Sequence, residues 1–297
     1  MKSIVSQVLS ASAVTVLFAV HTSAQIQLSG NRYEQSFDTL AAGLPEGWTV
    51  RTNATASGLG TEAGFTTNAT SWGSSSGQFA NYASTLSNYG TNFCGTNEST
   101  TVQAACTNRC LAMRQTGSFG DPGAAFVLQL ENTLGHAGFQ LALDINLLSV
   151  QGRTNCWIVD YGLGADPTNF VPVGTNGDAA VFGAVRRTFD FGAALNNQDQ
   201  PVWIRLVSLT PSTGSGSRDT VGIDNVALTF GPSGVVAPIP LALQKSGNNA
   251  VLSWSNPAFV LQASPNAAGP FTNVPGASSP HTRAMDSDQL YFRLKAN

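Results

Sequence analysis

Nowhere in this 297-residue chain does an apolar period of 3.6 residues persist over three helical turns. Short runs alternate apolar and polar residues instead, and Gly, Pro, Asn and Asp break them up. Alternation puts successive side chains on opposite faces, as in a strand with one buried side. The pattern predicts strands over 35–39, 47–53, 78–83, 109–116, 124–132, 139–150, 155–163, 188–191, 202–209 and 220–230. A single twisted sheet of about ten strands tends to curl or split into packed layers. The expected fold is therefore all-β, a two-sheet jelly-roll β-sandwich. The run 218–230 is the most informative. Val221, Ile223, Val226, Leu228 and Phe230 are strand formers, with Asp224 and Asn225 among them. A carboxylate in a buried strand needs a partner or a metal, because an unpaired buried charge is expensive.

The first 24 residues read as a secretory signal: Lys2, an apolar run over 11–20, then Thr22-Ser23-Ala24. Gln25 is the expected first residue after cleavage. The apolar run is too short to span a bilayer, and no later segment is apolar for long enough. Charged residues make up only 10% and the net charge is −3, which gives no electrostatic case for nucleic acid. Behind a signal sequence, the four cysteines Cys94, Cys106, Cys110 and Cys156 favour two disulfides. Zinc is the weaker reading, since beyond the signal only His136 and His281 are present and no paired C-x-x-C occurs.

Residues 54–77 and 84–108 are long polar stretches, and 210–219 is Ser/Thr/Gly-rich and expected to be flexible. Segment 231–240, rich in Gly and Pro, sustains neither a helix nor a central strand. It separates an expected large domain (25–230) from a small one (241–297). The small one has strands expected over 241–244, 251–254, 259–263, 271–274 and 290–294, with Trp254 as its core aromatic.

Several motifs occur in order: Ser36-Phe37-Asp38 with Leu44-Pro45-Glu46-Gly47-Trp48, Arg109-Cys110-Leu111-Ala112 with Gly117-Ser118, Phe126 to Thr133, and Gly222-Ile223-Asp224-Asn225-Val226. Together they resemble secreted bacterial jelly-roll domains of the adhesin-like, MAM-like and carbohydrate-binding-module-like kinds. The tail, with Leu252-Ser253-Trp254, Val260 to Ser264, Gly269 to Val274 and Tyr291-Phe292-Arg293-Leu294, resembles small fibronectin-III-like modules. The first resemblance implies a structural calcium ion where the opening and closing strands meet. Asp38 and Asp224 would be its carboxylate ligands, with Asp219 a third candidate.

Catalytic patterns are sparse. Gly73-Ser74-Ser75-Ser76-Gly77 spells G-x-S-x-G, but in a Ser/Gly loop rather than a strand-to-helix turn. No H-E-x-x-H occurs. Alternation places Gln129 and Glu131 on one side of their strand, and Gln140, Asp144 and Asn146 on one side of theirs. Taken as neighbouring strands, these form a polar sheet face that Arg114, Trp203 and Arg205 could join. Three readings follow for that face: an ordinary solvated surface, a carbohydrate-binding cleft, or a glycosidase pair of Glu131 and Asp144. Trp72, Tyr82, Tyr89 and Phe93, in or beside the long loops, are candidates for a sugar-stacking platform. The expected role is a secreted, non-enzymatic binding protein with polysaccharide or cell-surface glycan as ligand. A structural or adhesive envelope protein is the alternative, and a hydrolase the third reading. Of the three disulfide pairings, Cys94–Cys106 and Cys110–Cys156 is favoured. Cys94 and Cys106 share the polar insertion, and Cys110 and Cys156 fall in predicted strands. Cys106 and Cys110 are close enough in sequence to exchange roles.

Overall fold

The computed structural model describes residues 25–85, 95, 97–176, 182–233, 239–257, 259–286 and 289–296. The expected signal sequence, Cys94, Tyr89, Phe93 and the middle of the 231–240 segment lie outside them. The chain is an all-β sandwich. One sheet has seven strands. Six lie in the order Gly183–Asp190, His136–Ser149, Thr220–Pro232, Arg109–Arg114, Gln78–Ala83 and Phe65–Thr70, and Arg32–Gln35 pairs with Thr220–Pro232 as well. The facing sheet has six, ordered Val171–Thr175, Ile158–Leu163, Val202–Ser208, Ala124–Leu130, Trp48–Thr52 and Thr61–Glu62.

Alternation explains what fills the space between them. Phe139, Leu141, Leu143, Ile145 and Leu147 point inward from one sheet, and Phe126, Leu128, Leu130, Ile204 and Leu206 from the other. Trp157 stacks on Phe126 in this core, with ring centroids 5.4 Å apart. Trp48 meets Phe37 edge-on at 5.0 Å and donates through Nε1 to the Tyr33 hydroxyl at 2.8 Å. The opening strand ends earlier than expected. At Phe37 the backbone takes φ 59, and its N–H binds Gln35 Oε1 at 2.7 Å. The chain turns there and drops the Phe37 ring into the core.

Both outer faces carry their own apolar cover. Trp72, Tyr82, Cys110, Ala112 and Leu148 cluster outside the seven-stranded sheet. Ala54, Leu59, Val127, Phe170 and Trp203 cluster outside the other. The two polar stretches are less irregular than expected. The first contains Thr61–Glu62 and Phe65–Thr70; the second contains a helix, Thr100–Ala105, capped by Ser99. The 210–219 loop is pinned rather than flexible. Asp121 accepts from Ser212 N (2.8 Å), Ser212 Oγ (2.6 Å) and Arg218 Nε (2.6 Å). Toward the C-terminus, Ala242–Ser246, Asn249–Ser253 and His281–Ala284 form one three-stranded sheet. Thr272–Asn273, Phe259–Ser264 and Tyr291–Ala296 form another. Leu252, Trp254, Phe259 and Leu261 are buried together in this region.

The Cys110–Cys156 bridge is not formed, and both thiols are unbridged. Cys110 lies buried on the outside of the seven-stranded sheet, whereas Cys156 precedes Ile158–Leu163 in the facing sheet. Strand alternation aimed Cys110 away from the layer that carries Cys156. The Cys94–Cys106 bridge falls on Cys94, outside the described residues. Alkylation of the denatured, unreduced protein is expected to label Cys110 and Cys156 and to leave a peptide joining Cys94 to Cys106. A peptide joining Cys110 to any other cysteine overturns this.

Candidate functional site

A row of charged side chains crosses the outside of the seven-stranded sheet. Arg186, Asp144 and Asp224 lie side by side on three adjacent strands, since Arg186 pairs with Asp144 and Asp144 with Asp224. Opposed like charges destabilise a sheet unless something compensates them. For Asp144 the compensation is Arg186, whose Nη1 donates to Asp144 Oδ2 at 3.0 Å and to the Asn225 carbonyl at 3.1 Å. Among the described residues, no cation pairs with Asp224. Its Oδ2 accepts from Ser84 Oγ at 2.5 Å and its Oδ1 from Asn225 N at 2.7 Å.

The second contact depends on a bulge. The register slips between Asp224 and Ala227, and Asn225 adopts φ 46, a left-handed conformation that Asn tolerates better than most residues. The Asp224 carboxyl is pushed up to about 8, chiefly by burial. The bonds from Ser84 and Asn225 pull it back down, and the charges of Asp38 and Asp144 push it up further. Asp38 itself accepts from Arg109 N at 2.9 Å. Asn146 accepts from Thr85 N and Oγ1, at 3.3 and 2.7 Å. The Nδ2 atoms of Asn146 and Asn225 are buried with no hydrogen-bond partner among the described residues.

Asp38, Asp144, Asn146 and Asp224 thus come together, whereas the other sequence candidates do not. Gln129 lies on Ala124–Leu130 in the facing sheet, opposite Trp203, and Glu131 is exposed just beyond that strand. The expected common polar face of Gln129, Glu131, Asp144 and Asn146 does not exist. The two strands belong to different layers, so their polar sides look out from opposite surfaces of the sandwich. Glu131 and Asp144 are therefore no glycosidase pair. Trp72 and Tyr82 are buried and present no stacking surface. The Trp72 indole N–H is spent on the Ala83 carbonyl at 2.9 Å. Burial raises the Tyr82 hydroxyl to about 12. Asp219 is also apart. Five residues of strand, about 16 Å, separate it from Asp224, and it accepts from Gln151 N at 2.5 Å. Among the described residues, no group of three or more His, Cys, Asp or Glu is placed to hold a metal ion. Asp38 and Asp224 would supply only part of the six to eight oxygens that calcium takes.

Beside the row, the bulge opens into a groove of about 350 Å³ lined by Arg32, Glu34, Gln35, Ser36, Arg186 and Asn225. None of these residues is a sequence candidate for binding. Arg32 precedes the expected opening strand, and Arg186 precedes the expected strand at 188–191. The usable signal was the polar break at Asp224-Asn225 in an otherwise apolar strand.

No family model matches the chain, and no curated protein matches it. Among solved structures, the K1 cleaved adhesin domain of Lys-gingipain from Porphyromonas gingivalis W83 superposes with a TM-score of 0.37 at 13% identity, over 67% of this chain and 98% of that one. The apo form of a cyclase from Fischerella sp. gives 0.39 at 15% identity, over 69% and 90%. Similarity at this level bears on neither ligand nor activity. No helix among the described residues is long and apolar enough to cross a membrane.

Proposed function

We propose that this chain is a secreted, non-catalytic binding protein whose ligand is a polysaccharide or cell-surface glycan, with calcium as a structural partner of Asp38 and Asp224. The observation that carries the reading is the groove at the Asp224–Asn225 bulge, where charged and amide side chains converge on a solvent-open cavity. Sugars are recognised by polar groups of this kind, placed where they need not move to bind. The calcium part is supported by the closeness of the Asp38 and Asp224 carboxylates, the charge of Asp38 pushing the Asp224 carboxyl up, which a divalent cation would relieve. The tail, with its two small sheets, would serve as a fibronectin-III-like spacer. A second reading is an adhesive envelope protein without a small ligand.

A glycan array probed with the protein from residue 25 onward, with calcium and with EDTA, separates these readings. Retention on one class of polysaccharide, stronger with calcium, is expected. Absence of binding to every glycan leaves the adhesive reading. Measurable hydrolysis of a bound glycan overturns the non-catalytic one.

A further inference from the structure

We propose that the groove at the bulge selects acidic sugars, gripping the anionic oxygens of a uronate or sulfate group between Arg32, Arg186 and the Asn225 amide. This rests on the glycan-binding reading above and names the chemistry of that same site.

The first support is the balance of donors and acceptors. Arg32, Arg186, Ser36 and Asn225 line the groove with donor-bearing side chains, and Glu34 is its one carboxylate. The Gln35 side-chain oxygen is already taken by Phe37 N. A wall with more donors than acceptors suits a ligand rich in acceptors. Guanidinium groups favour planar or clustered anionic oxygens, because two of their N–H groups can bind in parallel.

The second support is that Arg186 is held in place. Its Nη1 is fixed by Asp144 and by the Asn225 carbonyl, while the side chain stays 37% exposed at the groove. Little side-chain freedom remains to be lost on binding. Arg32 is available for a different reason. Its ion pair with Glu34 is between two exposed side chains, and such pairs are weak in water.

The third support is the unspent donor. Asn225 Nδ2 is buried without a partner among the described residues, yet Asn225 lines the groove. Buried polar groups are nearly always satisfied in folded proteins, and an exception calls for an explanation such as a bound water, ion or ligand. A small turn of the half-buried Asn225 side chain would bring this donor to an anionic oxygen in the groove.

The test measures affinity of the protein, without added calcium, for polygalacturonate, chondroitin sulfate, and neutral xylan and dextran, at low and high salt. Wild type is expected to bind polygalacturonate or chondroitin sulfate and to lose most of that affinity at about 0.5 M salt, where surface charges are screened. The same binding is expected to be at least tenfold weaker on the neutral polymers. Preference for one acidic polymer tells carboxylate from sulfate. Arg32→Gln alters an exposed residue, and Asn225→Gly keeps the left-handed backbone that glycine adopts freely. Each is expected to weaken acidic-glycan binding about tenfold with the melting temperature retained. Arg186→Gln is less clean, since it strips Asp144 of its cation. Equal binding of acidic and neutral glycans overturns the acidic preference, undiminished binding by both variants overturns the groove as its site, and either leaves the glycan reading standing. No binding to any polymer overturns both.

Discussion

Arg205→Met is expected to lower the melting temperature by about 10 °C. Arg205 and Asp160 are both buried outside the six-stranded sheet, paired across adjacent strands with Nη2–Oδ2 at 2.7 Å and Nε–Oδ1 at 2.8 Å. The guanidinium also reaches the carbonyls of Thr55 (3.1 Å) and Gly58 (2.8 Å), and lies 3.3 Å from the centre of the Phe170 ring. One side chain therefore holds the 54–60 loop against the sheet. Methionine fills a similar volume but leaves Asp160 buried and unpaired, and removing one partner of a buried pair costs about 3–5 kcal/mol. For a protein of this size each kcal/mol shifts the midpoint by roughly 2–4 °C. Burial already raises the Asp160 carboxyl against the opposing pull of Arg205, so its loss should also move the acid side of the stability curve. Adding Asp160→Leu is expected to recover much of the loss, since a buried pair is often replaced by apolar groups at little cost. A single variant melting within about 2 °C of wild type would show that the loop is held by packing alone.

Asp224→Asn is expected to flatten the dependence of stability on pH, measured in EDTA. The folded Asp224 carboxyl titrates at about 8 against an ordinary value of 3.8, so folding takes up a proton between those values. Its contribution to stability is full below about 3.8 and is lost as pH rises through about 8. Every tenfold gain in proton affinity on folding is worth about 1.4 kcal/mol, so the loss amounts to several kcal/mol in order of magnitude. Asparagine keeps an oxygen for Asn225 N and offers an N–H to Ser84 Oγ, with no charge facing Asp38 and Asp144. At pH 9 the variant should melt above wild type, and at pH 4 the two should converge. Parallel curves across that range would mean that Asp224 titrates normally in the fold.

Much of the strand pattern was legible because alternation is local. Gln78–Ala83 coincides with its expected span, and the inward rows from Phe139 to Leu147 and from Ala124 to Leu130 point as read. Alternation says which residues share a side of a strand, and nothing about which strands share a sheet. Ala124–Leu130 and His136–Ser149 follow one another in sequence, yet the short turn between them crosses from one layer to the other. That single crossing separated Gln129 and Glu131 from Asp144 and Asn146. Phe65–Thr70 was missed for the opposite reason. Phe-Thr-Thr-Asn-Ala-Thr forms an edge strand with a weak alternation, held by one parallel neighbour. Beyond the polar break at Asp224-Asn225 the groove left no trace, because it is made by a bulge and by residues far apart in the chain, and neither leaves a repeating mark in the sequence.

The position of Thr220–Pro232 governs how this molecule can assemble. The last long strand of the sandwich lies at the middle of its sheet, pairing with Arg32–Gln35, Arg109–Arg114 and His136–Ser149. A chain emerging from its N-terminus holds three unpaired strand edges until residue 232 is free. Such edges are templates for wrong partners, and pairings this distant in sequence form slowly. The nascent sandwich therefore stays open, and prone to mispairing, until the Thr220–Pro232 strand has been made.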